Sequence, residues 1–229
     1  MRKWRGIFLR AVLAVGLLSG MGAPAAFATS VTVGTSGNVN CFPFGCNVSE
    51  GTRYQQVYNS SLFSESLAIN QITFFHSNLG GGVTETLRSG QYDIYLSTTA
   101  AAVNGLDGSM ANNVGGDNVL FFSGNLSGPV GGTLGFTGGP FNYNPANGNL
   151  LLEIQVTGGG VNLNPLFLDA QNGDFGMDSS RMHNFGTGFE RFGLVTRFEG
   201  NTAPVPEPAS LLLLGSGLAA MALARWRDT

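Results

Sequence analysis

The sequence predicts an all-β protein, a single antiparallel β-sandwich of jelly-roll type over residues 29–203, with an N-terminal signal helix and a C-terminal hydrophobic helix. Three observations carry this prediction. Apolar and polar residues alternate with a period of two, clusters of Gly, Asn and Pro separate the alternating stretches, and residues 30–205 show no helical period. Short strands divided by turn signals are typical of sandwiches and jelly rolls.

Residues 1–28 have the three parts of a signal peptide. Four basic side chains precede residue 11, residues 11–18 are apolar, and Ala26 and Ala28 form a small-x-small site with cleavage expected after Ala28. A permanent membrane anchor is the alternative, but the apolar run is short and a cleavage site follows it. We therefore expect export through the inner membrane.

The only two cysteines lie close together in the motif CFPFGC. Export permits disulfides, and Pro43 and Gly45 help the chain to turn back, so a Cys41–Cys46 disulfide is expected. The alternatives are a free pair or a metal site. The metal reading is weak because no further cysteine or nearby histidine completes a tetrahedral set.

Four stretches show the clearest strand alternation, at residues 65–75, 92–99, 150–158 and 190–200. The first of them slips out of phase at Asn70-Gln71, which predicts a β-bulge. Four weaker candidates complete the expected set: RYQQVY, NVLFFSG, GTLGFTG and VNLNPLFLD.

Two polar, glycine-rich segments, residues 103–118 and 168–188, are predicted to be loops with room for function. The second carries Asp169, Asp174 and Asp178, whose hard oxygen ligands suit calcium. Their spacing lacks the EF-hand pattern and its closing Glu. Solvated loop acids are therefore the preferred interpretation, and calcium binding by these three residues is the alternative. His183 lies in the same predicted loop, whereas His76 follows a predicted strand and is interpreted as structural.

The charge distribution excludes several classes of function. Residues 29–208 hold five arginines and thirteen carboxylates, a formal charge of −8, and the chain's only lysine is Lys3. Such a body repels phosphate backbones, so nucleic acid is excluded as a partner. Without a lysine it has neither a P-loop nor Schiff-base chemistry, and no G-x-S-x-G elbow occurs. We therefore predict no enzymatic activity and no cofactor, calcium being the one open case.

The chain ends in an uncharged run over residues 209–224, between a proline-rich segment and two arginines. As a helix this run spans about 24 Å, short of a hydrocarbon core of about 30 Å, although flanking arginines can snorkel. The positive-inside rule places Arg225 and Arg227 in the cytoplasm and the body outside. The prolines hold an extended segment at the outer surface of the membrane.

This tail, residues 204–229, resembles the PEP-CTERM sorting signal of Gram-negative bacteria. The residues that carry the resemblance are Pro206, Glu207 and Pro208, then Leu211, Leu212, Leu213 and Leu214 with Gly215 and Gly217, then Arg225 and Arg227. The resemblance implies that an exosortase removes the tail near Pro206–Pro208, after a transient stay in the inner membrane, and that the body is released or attached at the cell surface. A simple C-terminal anchor is the alternative, but it leaves the Pro-Glu-Pro segment unexplained.

The same resemblance bears on function, because members of the family often accompany exopolysaccharide and biofilm loci. Some ice-binding proteins carry the same tail, so the tail gives an address and not an activity. We expect an exported surface or matrix protein without catalytic activity, with an exosortase and extracellular polysaccharide as its partners. The alternative is a carbohydrate-binding or calcium-stabilised adhesive module. Sugar platforms would have to come from five tyrosines: Tyr54, Tyr58, Tyr92, Tyr95 and Tyr143.

Overall fold

The computed structural model describes residues 28–47, 49–78, 85–160, 162–172, 178–184 and 189–202. Those residues form thirteen strands and three short 3-10 helices (Ser60–Leu62, Met110–Asn113 and Pro145–Asn147), and no α-helix lies among them. The strands are β1 (Ala28–Val33), β2 (Asn38–Asn40), β3 (Thr52–Tyr58), β4 (Leu67–Phe75), β5 (Thr86–Thr99), β6 (Val119–Pro129), β7 (Thr133–Tyr143), β8 (Asn149–Val156), β9 (Leu168–Asn172), β10 (Ser179–His183), β11 (Phe189–Glu190), β12 (Phe192–Leu194) and β13 (Thr196–Thr202). The all-β prediction is confirmed. The predicted signal helix and hydrophobic helix lie outside the described residues.

The strands form three sheets, and every pairing between named strands is antiparallel. The four-stranded sheet has the order β1-β13-β4-β7, and the six-stranded sheet has the order β11-β10-β3-β8-β5-β6. A three-stranded sheet, β12-β9-β2, completes the set. Strand β1 pairs with β13 so that Ala28 lies opposite Asn201.

One hydrophobic core joins the inner faces of the two large sheets. Tyr92, Ile94 and Leu96 of β5 are buried, and Phe74 and Phe198 of the four-stranded sheet belong to the same cluster. Side chains of a strand alternate between its two faces, so this burial follows directly from the period of two in the sequence. The predicted slip is also present, since the pairing of β4 with β7 shifts register between Ile69 and Gln71.

The disulfide loop fills the space between the two sheets. The structure joins Cys41 and Cys46 in a disulfide, and the loop between them inserts the fully buried ring of Phe44 into the core. Its ring centroid lies 5.3 Å from that of Phe74, 5.6 Å from Tyr92 and 5.4 Å from Phe136. Phe44 therefore contacts rings of both sheets at once.

Residues 103–118, predicted to be a loop with room for function, contain no strand and cover part of the outer face of the six-stranded sheet. Leu106 and Met110 pack against Val57, Leu151 and Met182 in a second apolar cluster. The cover is also held by polar contacts: the Asn113 amide donates to Gln55 Oε1 at 2.9 Å, and the Gln55 amide donates to the Met110 carbonyl at 2.9 Å. This segment is structural where it lies on β3 and β8.

The second predicted loop, residues 168–188, is wrong over Leu168–Asn172 and Ser179–His183, where the structure places β9 and β10. Asp169 lies in β9, and His183 lies in β10 with 5% of its surface exposed. The stretch 190–200, predicted as one strand, is divided among β11, β12 and β13. Its first part joins the three-stranded and six-stranded sheets and its last part joins the four-stranded sheet, so the chain changes sheet near Val195.

Candidate functional site

The candidate site is the half of the outer face of the six-stranded sheet that the cover leaves open. We call it the Tyr95 face and define it by the following residues: Arg53, Gln91, Asp93, Tyr95, Leu120, Ser123, Glu153 and Gln155. Because Tyr92, Ile94 and Leu96 point into the core, the residues between them on β5 point outwards. Strand alternation therefore places Asp93 and Tyr95 side by side on this face.

Tyr95 and Leu120 form the apolar part of the face. The pairing of β5 with β6 shifts register between Ile94 and Tyr95, and this shift brings Leu120 directly opposite Tyr95. Directly opposed residues of an antiparallel pair share a face at close range. Leu120 is 53% exposed, one of the few large apolar side chains at the described surface. An aromatic ring beside an exposed aliphatic side chain makes a platform on which a ligand can pack.

Tyr95 is the single tyrosine that can serve as such a platform. All five tyrosines of the sequence are described, and the other four are at most 1% exposed. Burial, followed by the nearby carboxylates of Asp93 and Glu153, raises the pKa of Tyr95. Its hydroxyl therefore stays protonated at neutral pH and is available as a hydrogen-bond donor.

A row of polar side chains lies next to this platform. Ser123 donates its hydroxyl to Asp93 Oδ1 at 2.6 Å, and the Gln91 amide donates to Ser123 Oγ at 2.9 Å and to Asp93 Oδ1 at 3.2 Å. Strand register continues the row across the sheet, because Asp93 lies opposite Gln155 and Gln155 lies opposite Arg53. These contacts fix the Asp93 carboxylate in place before any ligand arrives.

The remaining charges of the face neutralise each other. Arg53 holds Glu153 with two parallel hydrogen bonds, Nε to Oε1 and Nη2 to Oε2, each of 2.9 Å. Glu153 also accepts from the amides of Gln55 and Gln155, and it is only 3% exposed. Fork-like pairing of this kind is the strongest geometry for an arginine and a carboxylate. Glu153 is thus occupied, and none of the ion pairs among the described residues involves Asp93.

The cover forms a wall at one side of the face. Gly115 donates its backbone N–H to Ser97 Oγ at 3.2 Å, and Asp117 Oδ1 accepts from the backbone N–H of Thr98 at 2.7 Å. A Cβ on Gly115 would lie 1.7 Å from the Thr98 carbonyl oxygen, so a glycine is required for this close approach. The wall therefore ends two residues beyond Tyr95 along β5.

A depression lies on the outer face of the four-stranded sheet, at the bulge. It has a volume of about 290 Å³ and is lined by residues of β1, β4 and β13, among them Gln71, Glu199 and Asn201. No aromatic ring lines it. The Tyr95 face, which joins a ring to amide, hydroxyl and carboxylate groups, is the better-built site.

Another group of charged side chains lies on the inner face at β10. Arg181 donates two hydrogen bonds to Glu190, one of them from Nε at 2.6 Å, and its guanidinium lies 4.5 Å from the Phe192 ring centroid. His183 Nε2 lies 3.5 Å from Glu190 Oε1, and burial raises the pKa of Tyr54 to about 12. His183 was expected in an exposed loop; it is buried because it packs on the inner face beside this ion pair.

Two other residues singled out in the sequence, His76 and Asp178, lie within the described part of the chain. His76 has partners at both ring nitrogens, Glu85 Oε2 at 2.9 Å and the Gly131 carbonyl at 3.1 Å, as a structural histidine requires. Asp178 accepts weakly from the Gln171 amide at 3.4 Å, and no group of three possible metal ligands exists among the described residues.

Asp174 lies outside those residues, so the structure does not test the calcium alternative. Also outside are Ala26, the motif Pro206–Pro208 and the run 209–224, whereas Ala28 begins β1.

Sequence reasoning found part of this face and missed the rest. Alternation at residues 92–99 predicted a strand there, and Tyr95 was among the five tyrosines considered as sugar platforms. Leu120 and Ser123 were missed because their position depends on the register shift between β5 and β6, which no local pattern in the sequence reveals.

Comparison with known proteins decides the nature of the tail. The family model described as the PEP-CTERM protein-sorting motif matches residues 204–227. The chain carries a PEP-CTERM sorting motif. The resemblance seen in the sequence is thereby confirmed, and the motif implies processing by an exosortase and a surface or secreted location. The described part of the chain has no helix with the length and apolarity that a membrane crossing needs.

The remaining comparisons add little. No curated protein matches the chain. Among solved structures, the chain is similar to the crystal structure of the cysteine protease and lectin-like domains of Cwp84, a surface layer associated protein of Clostridium difficile, at 12% identity and a TM-score of 0.38. The similarity covers 68% of this chain but only 33% of that one. A likeness this remote transfers no property of that protein to the chain.

Proposed function

We propose that this PEP-CTERM protein is an exported surface or matrix component that acts without catalysis and contacts extracellular polysaccharide through the Tyr95 face. The observation that carries the proposal is the sorting motif at residues 204–227, which assigns the protein to the exosortase route. On that route a signal peptidase cuts after Ala28, the run 209–224 holds the chain briefly in the inner membrane, and an exosortase removes the tail.

The architecture we infer for the body is a jelly-roll-like sandwich. Its support is the single core shared by the inner faces of the four-stranded and six-stranded sheets. A sandwich leaves two outer faces to the solvent, and one of these bears the Tyr95 platform. Binding on an exposed sheet face needs no catalytic group, and the one free carboxylate of that face, Asp93, lacks a second free carboxylate beside it, since Glu153 is held by Arg53. Glycoside hydrolysis requires two such groups.

Polysaccharide is the partner that suits these side chains. Sugars offer apolar C–H surfaces for a ring and an aliphatic group, and hydroxyls for amides and carboxylates. Tyr95 and Leu120 can pack on the C–H surfaces, and Gln91, Asp93 and Gln155 can hydrogen-bond to the hydroxyls. The association of the PEP-CTERM family with exopolysaccharide loci points in the same direction.

Two experiments test the proposal. The first experiment tests sorting, by mass spectrometry and cell fractionation of the protein from three strains. These are the native strain, a strain without the exosortase, and a strain whose protein has alanine at Pro206, Glu207 and Pro208. We expect loss of Trp226 from the mature native protein and its retention in the other two strains. Retention of Trp226 in the native strain contradicts the sorting route.

For binding, the purified mature protein is titrated with extracellular polysaccharide from the same cells, and its melting temperature is followed, because a ligand of the native state stabilises it. Tyr95→Ala should abolish the stabilisation, and Tyr143→Phe, a change in the buried core, should leave it in place. No stabilisation of the native protein contradicts the polysaccharide assignment.

A further inference from the structure

The Tyr95 face has a charge that a neutral sugar would not use. Arg53 and Glu153 cancel each other in their fork-like pair, and no ion pair among the described residues reaches Asp93. Asp93 is therefore the one uncompensated charge of the face. A partly buried carboxylate without a cation is most stable when a ligand brings the opposite charge.

The hydrogen bonds around Asp93 keep its carboxylate ready for such a ligand. Ser123 and Gln91 both donate to Oδ1, so the carboxylate has a fixed orientation. No cationic side chain of the described chain forms an ion pair there, and the mature body has no lysine to supply one. The cation has to come from outside.

Tyr95 adds a second preference for positive charge. It follows Asp93 by two residues on β5, so the ring and the carboxylate lie on the same face about 7 Å apart along the strand. The face of an aromatic ring attracts an ammonium group within about 6 Å of its centroid. An ammonium placed between the two groups contacts both.

From this arrangement we propose that the face selects polysaccharides that carry free amino groups, with Asp93 pairing with the ammonium and Tyr95 and Leu120 packing on the sugar ring. This inference rests on the proposed function, because it names the class of polysaccharide bound at the same face. Polymers rich in uronate or sulfate are rejected, since both Asp93 and the body's formal charge of −8 repel them.

The test compares three oligosaccharides of equal length by isothermal titration calorimetry on the mature protein: a fully deacetylated glucosamine oligomer, its N-acetylated counterpart and a galacturonate oligomer. We expect the deacetylated oligomer to bind at least tenfold more tightly than the acetylated one, and the galacturonate oligomer not to bind. Tighter or equal binding of the acetylated oligomer overturns the amine inference and leaves polysaccharide contact standing. Failure of all three, with binding to the polysaccharide of the native cells, overturns only the amine inference, and failure of that polymer too overturns the proposed function.

Variants locate the effect on the face. Asp93→Asn keeps an acceptor for the Ser123 hydroxyl but removes the charge, and it should weaken binding of the deacetylated oligomer about tenfold with little effect on the acetylated one. Glu65→Gln removes the same charge from an exposed turn and should change nothing. If both variants weaken binding of the deacetylated oligomer equally, the oligomer is attracted by the overall negative charge of the domain. That result overturns the assignment of the binding site to Asp93.

A second pair of variants guards against a folding defect at Asp93. Tyr95→Ala should abolish binding, whereas Tyr95→Phe should keep it, because the ring and not the hydroxyl carries the contact. Unchanged binding in Tyr95→Ala overturns the inference. Circular dichroism of each variant shows whether the fold is retained.

Discussion

Removing the ring of Phe44 should cost this domain more stability than any comparable change at its surface. Phe44 is fully buried and lies 5.3 to 5.6 Å from three other rings, which belong to both large sheets. Truncating a buried phenylalanine to alanine costs about 3 to 5 kcal/mol, with the larger values where the cavity does not collapse. The disulfide restrains the loop on both sides of Phe44, so the cavity should stay open and the cost should be about 4 kcal/mol.

The assay is equilibrium unfolding in urea, followed by far-ultraviolet circular dichroism because residues 29–203 contain no tryptophan. For a domain of this length each kcal/mol lowers the melting temperature by about 2 to 4 °C, so Phe44→Ala should lower it by about 8 to 16 °C. The matched control is Phe75→Ala, since Phe75 lies half-buried on the outer face of β4. We expect a loss of about 1 kcal/mol there. Equal losses for the two variants would refute the view that Phe44 joins the sheets.

Three further changes test other contacts. Gly45→Ala should destabilise by more than about 2 kcal/mol, because its Cβ would lie 2.0 Å from a backbone carbonyl oxygen, and a near-neutral urea midpoint would contradict that packing. Changing Cys41 and Cys46 together to serine should lower the free energy of unfolding by about 2 kcal/mol through the short loop they close, and an unchanged melting temperature would count against the bond. Burial opposes ionisation of Glu190, but hydrogen bonds and charge from Arg181 outweigh it and hold the pKa of Glu190 below its ordinary 4.5. The stability this gives is present above pH 4.5 and is lost as the pH falls through the lowered pKa. Wild type should therefore lose more stability than Glu190→Gln as the pH is lowered from above 4.5, and parallel pH profiles would oppose the assignment.

Strands such as β4, β5 and β8 were predictable because alternating burial is a local property. The alternation of residues 92–99 separates the two faces of β5 without reference to any other strand. The break in alternation at Asn70-Gln71 indicates the β-bulge in β4 in the same way. Neither needs knowledge of the partner strand. Fold class and most strands follow from patterns of this kind.

What escaped prediction depends on contacts between distant parts of the chain. Glu153 alternates with apolar residues and reads as an exposed position, yet it is buried because Arg53, Gln55 and Gln155 all hydrogen-bond to its carboxylate. His183 reads as part of a polar loop, yet pairing of β10 with β3 places it on the inner face. The neighbours of Tyr95 on β6 depend on a register shift with no signature in composition or spacing.

The pairing of the first and last described strands determines where the two ends of the domain lie. Ala28 lies opposite Asn201, so the polypeptide enters and leaves the domain at adjacent points on the four-stranded sheet. A load applied at the C-terminal end of the domain therefore acts first on the four-stranded sheet, whereas the ring of Tyr95 lies on the other side of the core.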